Sequence, residues 1–573
     1  MPTINVDKKD LEYLANLSLS DKLIEDKFPM MGVEVEELFE ENDREMVQFS
    51  INPNRPDYLS VEGLARGFRG FMGIQTGLAN YDIKDSDIEV IVKCSKERPY
   101  IAFALVKNVI VDDLILESII NLQEKLHWAI GRDRKKLAIG VHDYDKIEAP
   151  FIYDEVEGDA VKFVPLAMAE AGEMTPKEII EKHEKGQKYA HLIKDKFPLI
   201  TDKNGNVLSM PPIINGELTK VSTNTKNLLI DITGTEKGAV ENTLNIVATA
   251  LAERRGTIFS VKVIYEEDGK VINEETYPKL TPEQIEIDLE FINKKLGLEL
   301  NFGQVISALR KAGLDAELIN KNGENLLNVY IPAYRNDMLG KVDIVEEIAI
   351  NYGYEKFKGA KINVHTIGQK NESEVKSSEI KNTMIGLGFQ EVMNLTLTNK
   401  TILFENMNME VGSVEDGCKD YIEVLKPASI EHNVIRTTII PQLLETLKIN
   451  KHNELPQKIF EIGDCVIIDE NAKETDKYFD TKCKDVRKVS GAIIQPNGNF
   501  NEIRSVIDAL LREQYDNYVI ENYAHPSFIK GRCAKILVNE EYKGLFGEIN
   551  PQVIVNFELE HPITAFEIQI TND

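Results

Sequence analysis

The sequence contains few cysteines, and no two of them stand at the close spacing used by zinc sites or dithiol redox motifs. The five are Cys94, Cys418, Cys465, Cys483 and Cys533. An odd number of widely separated cysteines argues against a disulfide framework and against a structural zinc site. We expect reduced thiols in a cytoplasmic protein.

Long apolar runs and an excess of positive charge are also missing. An apolar stretch such as residues 244–252 is far shorter than the roughly 20 residues that cross a bilayer, and the start, MPTINVDKKDLEYL, lacks the features of a signal peptide. The chain has 67 Lys and Arg against 95 Asp and Glu, a formal net charge of -28. Because affinity for a phosphate backbone depends on Lys and Arg, we expect no membrane association and no broad binding to DNA.

The common nucleotide and hydrolase motifs are absent from the sequence. It has no G-x-x-x-x-G-K-[ST] phosphate loop, no strand-flanked G-x-G-x-x-G, no H-E-x-x-H and no G-x-S-x-G. These absences disfavour a nucleotide hydrolase, a dinucleotide enzyme or a serine hydrolase of a common class.

What the sequence does contain is an ordinary globular composition spread over several domains. The 573 residues are 42% hydrophobic and 28% charged, and this length suggests about three to five domains. Changes in texture and polar linkers predict four domains, over residues 1–90, 91–265, 275–354 and 366–573. Apolar spacing predicts helices over residues 60–71, 238–255 and 282–297, the last with Thr281 as its N-cap.

An acidic segment, YRNDMLGKVDIVEEIAINYGY, carries four carboxylates: Asp337, Asp343, Glu346 and Glu347. The last three are spaced i, i+3 and i+4, which places them on one face of a helix within reach of a side chain on the incoming loop. Converging carboxylate oxygens are the ligands of a hard cation such as Mg²⁺. The alternative is that acidic residues in a first turn only stabilise the helix dipole and cap the helix.

A polar segment over residues 199–235 is a second candidate site. Its polar groups and glycines suit a small pocket that positions a water, but Gly, Asn, Asp and Ser also dominate turns for conformational reasons. The polar side chains singled out are Ser209, Asn215, Asp231, Thr233 and Thr235.

A basic window over residues 125–136 is a third candidate. It holds Lys125, Arg132, Arg134, Lys135 and Lys136 against Asp133, a local balance of +4. The window could accept a phosphate backbone, or it could be a solvated helix end. His142 beside Asp143 suggests acid–base chemistry only weakly, since lone histidines are more often packed or exposed.

The acidic segment resembles the end of the B5 domain in the β subunit of phenylalanyl-tRNA synthetase. That signature is Arg-x-Asp, an Asp six residues later, a Glu-Glu pair and Tyr-Gly-Tyr, which here are Arg335, Asp337, Asp343, Glu346, Glu347 and residues 352–354. Other segments agree in order. NPNRPDYLSVEGLARGF is similar to the N-terminal domain of the archaeal and eukaryotic form, GRDRKKLAIGVHDYD through LLIDITGT to the B3/B4 editing domain, and IFEIGD with GLFGEINPQV to the class II catalytic-like domain.

The resemblance covers nearly the whole chain, and it implies a fold class. The expected architecture is α+β and multidomain: an N-terminal α/β module, a B3/B4 editing domain, a winged-helix-like B5 domain and a catalytic-like antiparallel α/β domain. The chain stops shortly after HPITAFEIQI, so we expect anticodon recognition from another subunit.

The resemblance also implies a function. It implies the β subunit of phenylalanine–tRNA ligase, which supports ATP-dependent attachment of phenylalanine to tRNA(Phe) by the α subunit, as an (αβ)₂ heterotetramer, and hydrolyses mischarged tyrosyl-tRNA(Phe). Glu461 stands where an active motif 2 carries an arginine, so adenylation is expected from α, which uses the ATP. The alternatives are a stand-alone tRNA-editing hydrolase and a non-catalytic RNA-binding scaffold.

Carried over by matching position, the resemblance implies two sets of site residues. The Mg²⁺ ligands would be Asp337, Asp343, Glu346 and Glu347, at the contact with α. The editing pocket would be formed by Leu199, Ser209, Asp231 and Thr233.

Overall fold

The computed structural model describes residues 2–93, 96–267, 269–321, 323–359, 361–362, 364–411, 421–468 and 483–570. These residues form two compact units, Met1–Lys361 and Ile362–Asp573. Among the described helices, none combines the length and apolar character needed to cross a membrane. Cys465 and Cys533 are buried and Cys483 is half-buried, whereas Cys94 and Cys418 lie outside the described residues.

The first unit opens with a three-stranded sheet of order β1-β3-β2 and three helices. The predicted helix over residues 60–71 is confirmed: Ser60 is its N-cap, and the Ser60 hydroxyl accepts the backbone N–H of Gly63. Its apolar face packs on the helix that follows β1. The elements are β1 Thr3–Asp7, α1 Lys8–Ala15, α2 Asp21–Lys27, β2 Glu34–Glu41, β3 Arg44–Ser50 and α3 Val61–Phe71.

Two sheets and two long helices follow. The elements are β4 Ile83–Lys84, β5 Glu89–Val92, β6 Tyr100–Lys107, α4 Asp113–Ala129, β7 Leu137–Asp143, β8 Phe151–Val156, α5 Pro176–Lys182, α6 Glu184–Tyr189, β9 Phe197–Thr201, β10 Val207–Met210, β11 Ile214–Asn215, β12 Leu228–Gly234, α7 Lys237–Glu253, β13 Thr257–Phe259, β14 Val261–Glu267 and β15 Lys270–Tyr277. One sheet has the order β4-β13-β6-β12-β7 and the other β11-β10-β9-β8-β5-β14-β15. The central strand β12 is buried along its whole length, because helices and strands cover both of its faces.

The end of the first unit corrects one prediction. The segment after Thr281 begins as a strand, not as a helix, since Ile285 and Ile287 alternate and the strand pairs antiparallel with β18. Asp288 then caps a shorter helix by accepting the backbone N–H of Phe291 at 2.6 Å. The elements are β16 Glu283–Asp288, α8 Leu289–Leu296, α9 Phe302–Lys311, β17 Asp315–Lys321, β18 Glu324–Ile331 and α10 Lys341–Tyr352.

The second unit is built on a seven-stranded sheet of order β19-β22-β23-β27-β26-β25-β24. All neighbouring pairs are antiparallel except β19 with β22. Helices α13 and α14 pack on this sheet. The elements are α11 Glu372–Gly386, β19 Gln390–Glu391, β20 Leu397–Thr398, α12 Lys400–Leu403, β21 Val434–Ile435, α13 Ile440–Ile449, β22 Gln457–Ile468, β23 Cys483–Ile494, α14 Phe500–Gln514, β24 Val519–Asn522, β25 Phe528–Val538, β26 Glu541–Ile549, α15 Pro551–Asn556 and β27 Ile563–Gln569. The predicted α+β multidomain class is confirmed.

Candidate functional site

A cavity of about 180 Å³ lies in the first unit, between helix α4, strand β7 and the turn after β10, and we call it the α4 cavity. Helix α4 contributes one face to it, because residues 120, 123, 124 and 127 recur at helical spacing. Ser209 and Asp231, both almost fully buried, line the cavity from β10 and β12. Apolar side chains supply much of the remaining wall: Ile120, Ile139, Leu166, Ile213 and Ile214.

Asp231 is held by a histidine from the neighbouring strand. His142 Nε2 lies 2.5 Å from Asp231 Oδ1, and His142 Nδ1 lies 2.8 Å from the Thr219 hydroxyl. His142 is fully buried and Asp231 is 2% exposed. The pair forms because β12 runs antiparallel to β7 with Asp231 opposite Gly140, which places the carboxylate beside the His142 ring. The histidine thus fixes one carboxylate oxygen of a residue in the cavity wall.

Gly140 provides the space for this pair. A Cβ atom at position 140 would collide with Oδ1 of Asp231 and with Nε2 of His142. The glycine is therefore required by close approach of two side chains and not by backbone conformation.

Of the four predicted pocket residues, the structure brings Ser209 and Asp231 to the α4 cavity. Leu199 lies in β9, within the hydrophobic cluster that also contains Ile213, so it packs behind the cavity wall. Thr233 shares a face of β12 with Asp231, but its hydroxyl accepts a hydrogen bond from Arg98 Nε at 3.4 Å and its carbonyl accepts one from Arg98 Nη2 at 2.9 Å. The assignment of these residues to a function stays a prediction.

The basic window divides into a buried part and an exposed part. Arg132, Asp133 and Arg134 have φ values of 48°, 54° and 65°, three successive left-handed residues without a glycine. This turn directs Arg134 inward, where Nη1 donates to the carbonyl oxygens of Pro212 and Ile213 at 3.2 and 2.9 Å. Arg134 therefore holds the turn that forms one wall of the cavity.

The remaining cations of the window do not act together. Lys136 pairs with Glu236 at 2.6 Å, whereas Arg132 and Lys135 are exposed. Both interpretations of the window therefore hold for part of it. Sequence reasoning missed His127, which lines the α4 cavity, and paired His142 with its sequence neighbour Asp143. Asp143 instead accepts a hydrogen bond from Thr225 at 2.9 Å.

The acidic segment is organised around a buried guanidinium. Arg335 Nε and Nη2 donate to the two carboxylate oxygens of Asp337 at 2.8 and 2.7 Å, and Nη2 also donates to Glu347 at 2.6 Å. Asp343 accepts the backbone N–H groups of Leu339 and Gly340, both at 2.8 Å, and so caps helix α10. Glu346 is exposed.

The four predicted metal ligands are thus not gathered around one point. In the part of the chain that the structure describes, no group of three or more His, Cys, Asp or Glu side chains is arranged to hold a metal ion. Asp337 and Glu347 already share the positive charge of Arg335, which lies between them. As they stand in this chain, the four carboxylates do not fit a cation site made by this chain alone.

The buried charges extend into the N-terminal motif. Arg55 binds both carboxylate oxygens of Asp57 at 2.9 Å, and its Nη1 lies 3.6 Å from Glu347. The Arg66 guanidinium stacks 3.6 Å from the centre of the Tyr334 ring. The arginines of the motif NPNRPDYLSVEGLARGFRG therefore join the N-terminal residues to the segment that precedes α10.

In the second unit, the carboxylate of Glu461 is used internally. Arg436 Nη1 donates to Glu461 Oε1 at 2.7 Å, and Asn394 donates to Oε2 at 2.8 Å. Both charged side chains are 3% exposed. The position where a working class II synthetase has an arginine is thus occupied by one half of a buried ion pair.

Four family models match successive parts of this chain. They are described as the Phe-tRNA synthetase beta subunit B1 domain over residues 1–74, the B3/4 domain over 108–253, the tRNA synthetase B5 domain over 285–354, and the Phenylalanyl tRNA synthetase beta chain CLM domain over 362–570. The α4 cavity lies mainly in the second match and the Arg335 network in the third. This domain content defines an aminoacyl-tRNA synthetase subunit.

Relatives over the full length specify the family. The chain is 65% identical to the phenylalanine–tRNA ligase beta subunit of Methanococcus maripaludis strain C6 and 58% identical to that of Methanocaldococcus jannaschii, each over 100% of both chains. A crystal structure of an N-terminal fragment of the phenylalanyl-tRNA synthetase beta subunit from Pyrococcus horikoshii is 41% identical and has a TM-score of 0.58, covering 61% of this chain and 99% of that one. The chain belongs to the family of phenylalanine–tRNA ligase β subunits.

Proposed function

We propose that this chain works in the cytoplasm as the β subunit of phenylalanine–tRNA ligase, with an α subunit that binds ATP and attaches phenylalanine to tRNA(Phe). Identity over the full length of curated β subunits carries this proposal and favours a synthetase subunit over a stand-alone hydrolase or a scaffold. The burial of Glu461 against Arg436 supports adenylation on α, because a carboxylate paired in this way offers nothing to the phosphates of ATP.

The second part of the proposal is that the α4 cavity hydrolyses tyrosyl-tRNA(Phe). A binding site separates phenylalanine from tyrosine poorly when it must reject one added hydroxyl, so a second, hydrolytic site is the usual remedy. The observation that supports the cavity is the buried pair of Asp231 and His142 in its wall.

The chemistry of this step follows from the position of Asp231. His142 holds Oδ1, which leaves Oδ2 of Asp231 to orient a water for attack on the ester carbonyl carbon. The bond between that carbon and the ribose oxygen then breaks, and the ribose oxygen takes the proton that the water gives up. Water positioning by a carboxylate of this kind contributes about 10²–10⁴-fold to a rate.

Deacylation assays test this part. The Asp231→Asn variant, assembled with α, is expected to hydrolyse tyrosyl-tRNA(Phe) at least about 100-fold more slowly than the wild type, while charging with phenylalanine is unchanged. Asp145→Asn is the matched control, because Asp145 is exposed and lies just beyond the end of β7. Wild-type deacylation by Asp231→Asn would refute the role of the cavity.

Assembly tests the first part. The chain alone is expected to show no phenylalanine-dependent pyrophosphate exchange, and the complex with α is expected to show it. The mass of the complex tests the proposed (αβ)₂ stoichiometry. Strong exchange by this chain without α would overturn the assignment of adenylation to α.

The magnesium site is proposed only for the complex. Because Asp337 and Glu347 are bound to Arg335 in this chain, a site made from these four carboxylates requires a contribution from α or a rearrangement at α10. Glu346 is exposed and accessible to a partner. We expect calorimetry to detect Mg²⁺ binding to the complex that Glu346→Ala weakens, and none to this chain alone. Equal binding to the complex and to its Glu346→Ala variant would contradict the proposal.

A further inference from the structure

The wall of the α4 cavity contains polar atoms that no protein group satisfies. Within the described residues, Ser209 Oγ, His127 Nδ1 and Arg134 Nε are buried and have no hydrogen-bond partner. All three belong to residues that line the cavity, and the residues are only 2%, 5% and 5% exposed. Buried polar groups in native proteins are nearly always hydrogen-bonded, so three unmet groups around one cavity require an explanation.

The proton on His127 can be placed from its contacts. The backbone N–H of Ile139 donates to Nε2 of His127 at 2.8 Å, so Nε2 is an acceptor. Burial, with the positive charges of Arg134 and Lys185, lowers the pKa of His127 well below its usual range, and the ring is therefore neutral. A neutral imidazole with an accepting Nε2 carries its proton on Nδ1. Nδ1–H is thus a donor without a partner.

The three unmet groups match a phenol. They comprise two N–H donors, on His127 and Arg134, and one hydroxyl, on Ser209, that can accept. A phenolic O–H donates once and accepts through two lone pairs. The apolar residues of the same wall, among them Ile120 and Ile213, suit the aromatic ring that carries such a hydroxyl.

Resting on the proposed editing function, we propose that His127 is a specificity-determining residue that donates its Nδ1–H to the phenolic oxygen of the tyrosyl group. A tyrosyl group satisfies the wall of the cavity, whereas a phenylalanyl group would leave the same donors buried and unpaired. Sites built to hydrogen-bond a substrate hydroxyl reject the analogue that lacks it for this reason. The complex would thereby hydrolyse tyrosyl-tRNA(Phe) and spare its own product, phenylalanyl-tRNA(Phe).

Two substitutions at position 127 separate the donor from the fold. Glutamine places its side-chain oxygen near the position of Nε2, so His127→Gln keeps an acceptor for the Ile139 N–H and loses the donor at Nδ1. Asparagine places its amide near the position of Nδ1, so His127→Asn keeps the donor and loses the acceptor. A purely structural role for His127 predicts that His127→Asn is the more damaging change.

The experiment measures kcat/KM for deacylation of tyrosyl-tRNA(Phe) and of phenylalanyl-tRNA(Phe) by the complex with α. The ratio of the two values is the readout, because the fraction of folded enzyme cancels from it. We expect His127→Gln to lower the ratio by about 10-fold to 100-fold, and His127→Asn to keep it near that of the wild type.

The outcomes separate the two proposals. A ratio for His127→Gln equal to that of the wild type, or a larger loss in His127→Asn, would overturn the role of His127 while leaving the editing function intact. If the wild-type complex hydrolyses neither substrate, the proposed editing function fails, and the inference fails with it.

Discussion

Replacing Arg335 with methionine removes the central positive charge from the buried network beside α10. The Arg335 side chain is 1% exposed, and those of its partners Asp337 and Glu347 are 6% and 8% exposed. Methionine has a similar length and fills much of the same space, so the change isolates the charge and its three hydrogen bonds from the packing. Two carboxylates are then left together in a poorly solvated place.

The magnitude follows from which charges remain. Removing one partner of a buried ion pair costs about 3–5 kcal/mol, because the other charge stays buried. Arg55 remains 3.6 Å from Glu347 and compensates it in part, so Asp337 is the carboxylate left without a cation. At about 1.4 kcal/mol per factor of ten, local opening becomes about 100-fold to 4000-fold more frequent.

Hydrogen exchange of the full chain measures this directly, because amide exchange reports the free energy of local opening. Peptides that cover residues 335–352 are expected to exchange faster in Arg335→Met by the factor above. Lys341→Ala is the control on the same helix: Lys341 is 49% exposed, its Nζ lies 3.9 Å from Asp288, and such a pair contributes about 0–1 kcal/mol. The triple variant with Asp337→Asn and Glu347→Gln is expected to recover much of the loss, since it leaves no unpaired charge.

The effect has a defined pH dependence. Burial by itself raises the pKa of Asp337, but the hydrogen bonds and charge of Arg335, with Arg55, outweigh burial and lower that pKa below its usual 3.8. A carboxyl with a lowered pKa stabilises the fold above its unfolded pKa and loses this contribution as the pH falls through the folded value. The difference between wild type and Arg335→Met should therefore shrink below about pH 4. Wild-type exchange in Arg335→Met at neutral pH would refute the reasoning.

Two further predictions concern the other buried pairs. Gly140→Ala introduces a Cβ that collides with Asp231 and His142, and a displacement of this kind should lower deacylation of tyrosyl-tRNA(Phe) by about 100-fold, measured with the complex; an unchanged rate would exclude Asp231 as the positioned group. Glu461→Ala leaves Arg436 buried without its carboxylate and should destabilise the region around β22 by about 3–5 kcal/mol, measured by hydrogen exchange, with Glu461→Gln milder. Exchange at the wild-type rate in Glu461→Ala would show that the pair contributes little.

Local patterns in the sequence were enough for several elements of the fold and for part of the site. The helix that starts after Ser60 follows from a capping residue and an apolar face, both of which act within a few residues. The segment after Thr281 shows the limit. A Thr-Pro step there suggests a helix start, yet Ile285 and Ile287 also suit a strand, and pairing with β18 decides between them.

For the site, the sequence by itself determined which chemical groups are present, through motifs that resemble those of a family. It singled out Ser209 and Asp231, and it placed Asp337 and Glu347 close together in the chain. Only the tertiary structure joined Asp231 to a histidine 89 residues away, because strand register has no local signature.

The tertiary structure also decided what the acidic segment does in this chain. Spacing along a helix showed that the carboxylates could share one face, but it could not show which cation they meet. Burial selects a partner of opposite charge for each carboxylate, and the partner nearest to Asp337 and Glu347 is Arg335. The sequence determined the charges; the packing of one segment on another determined how they are paired.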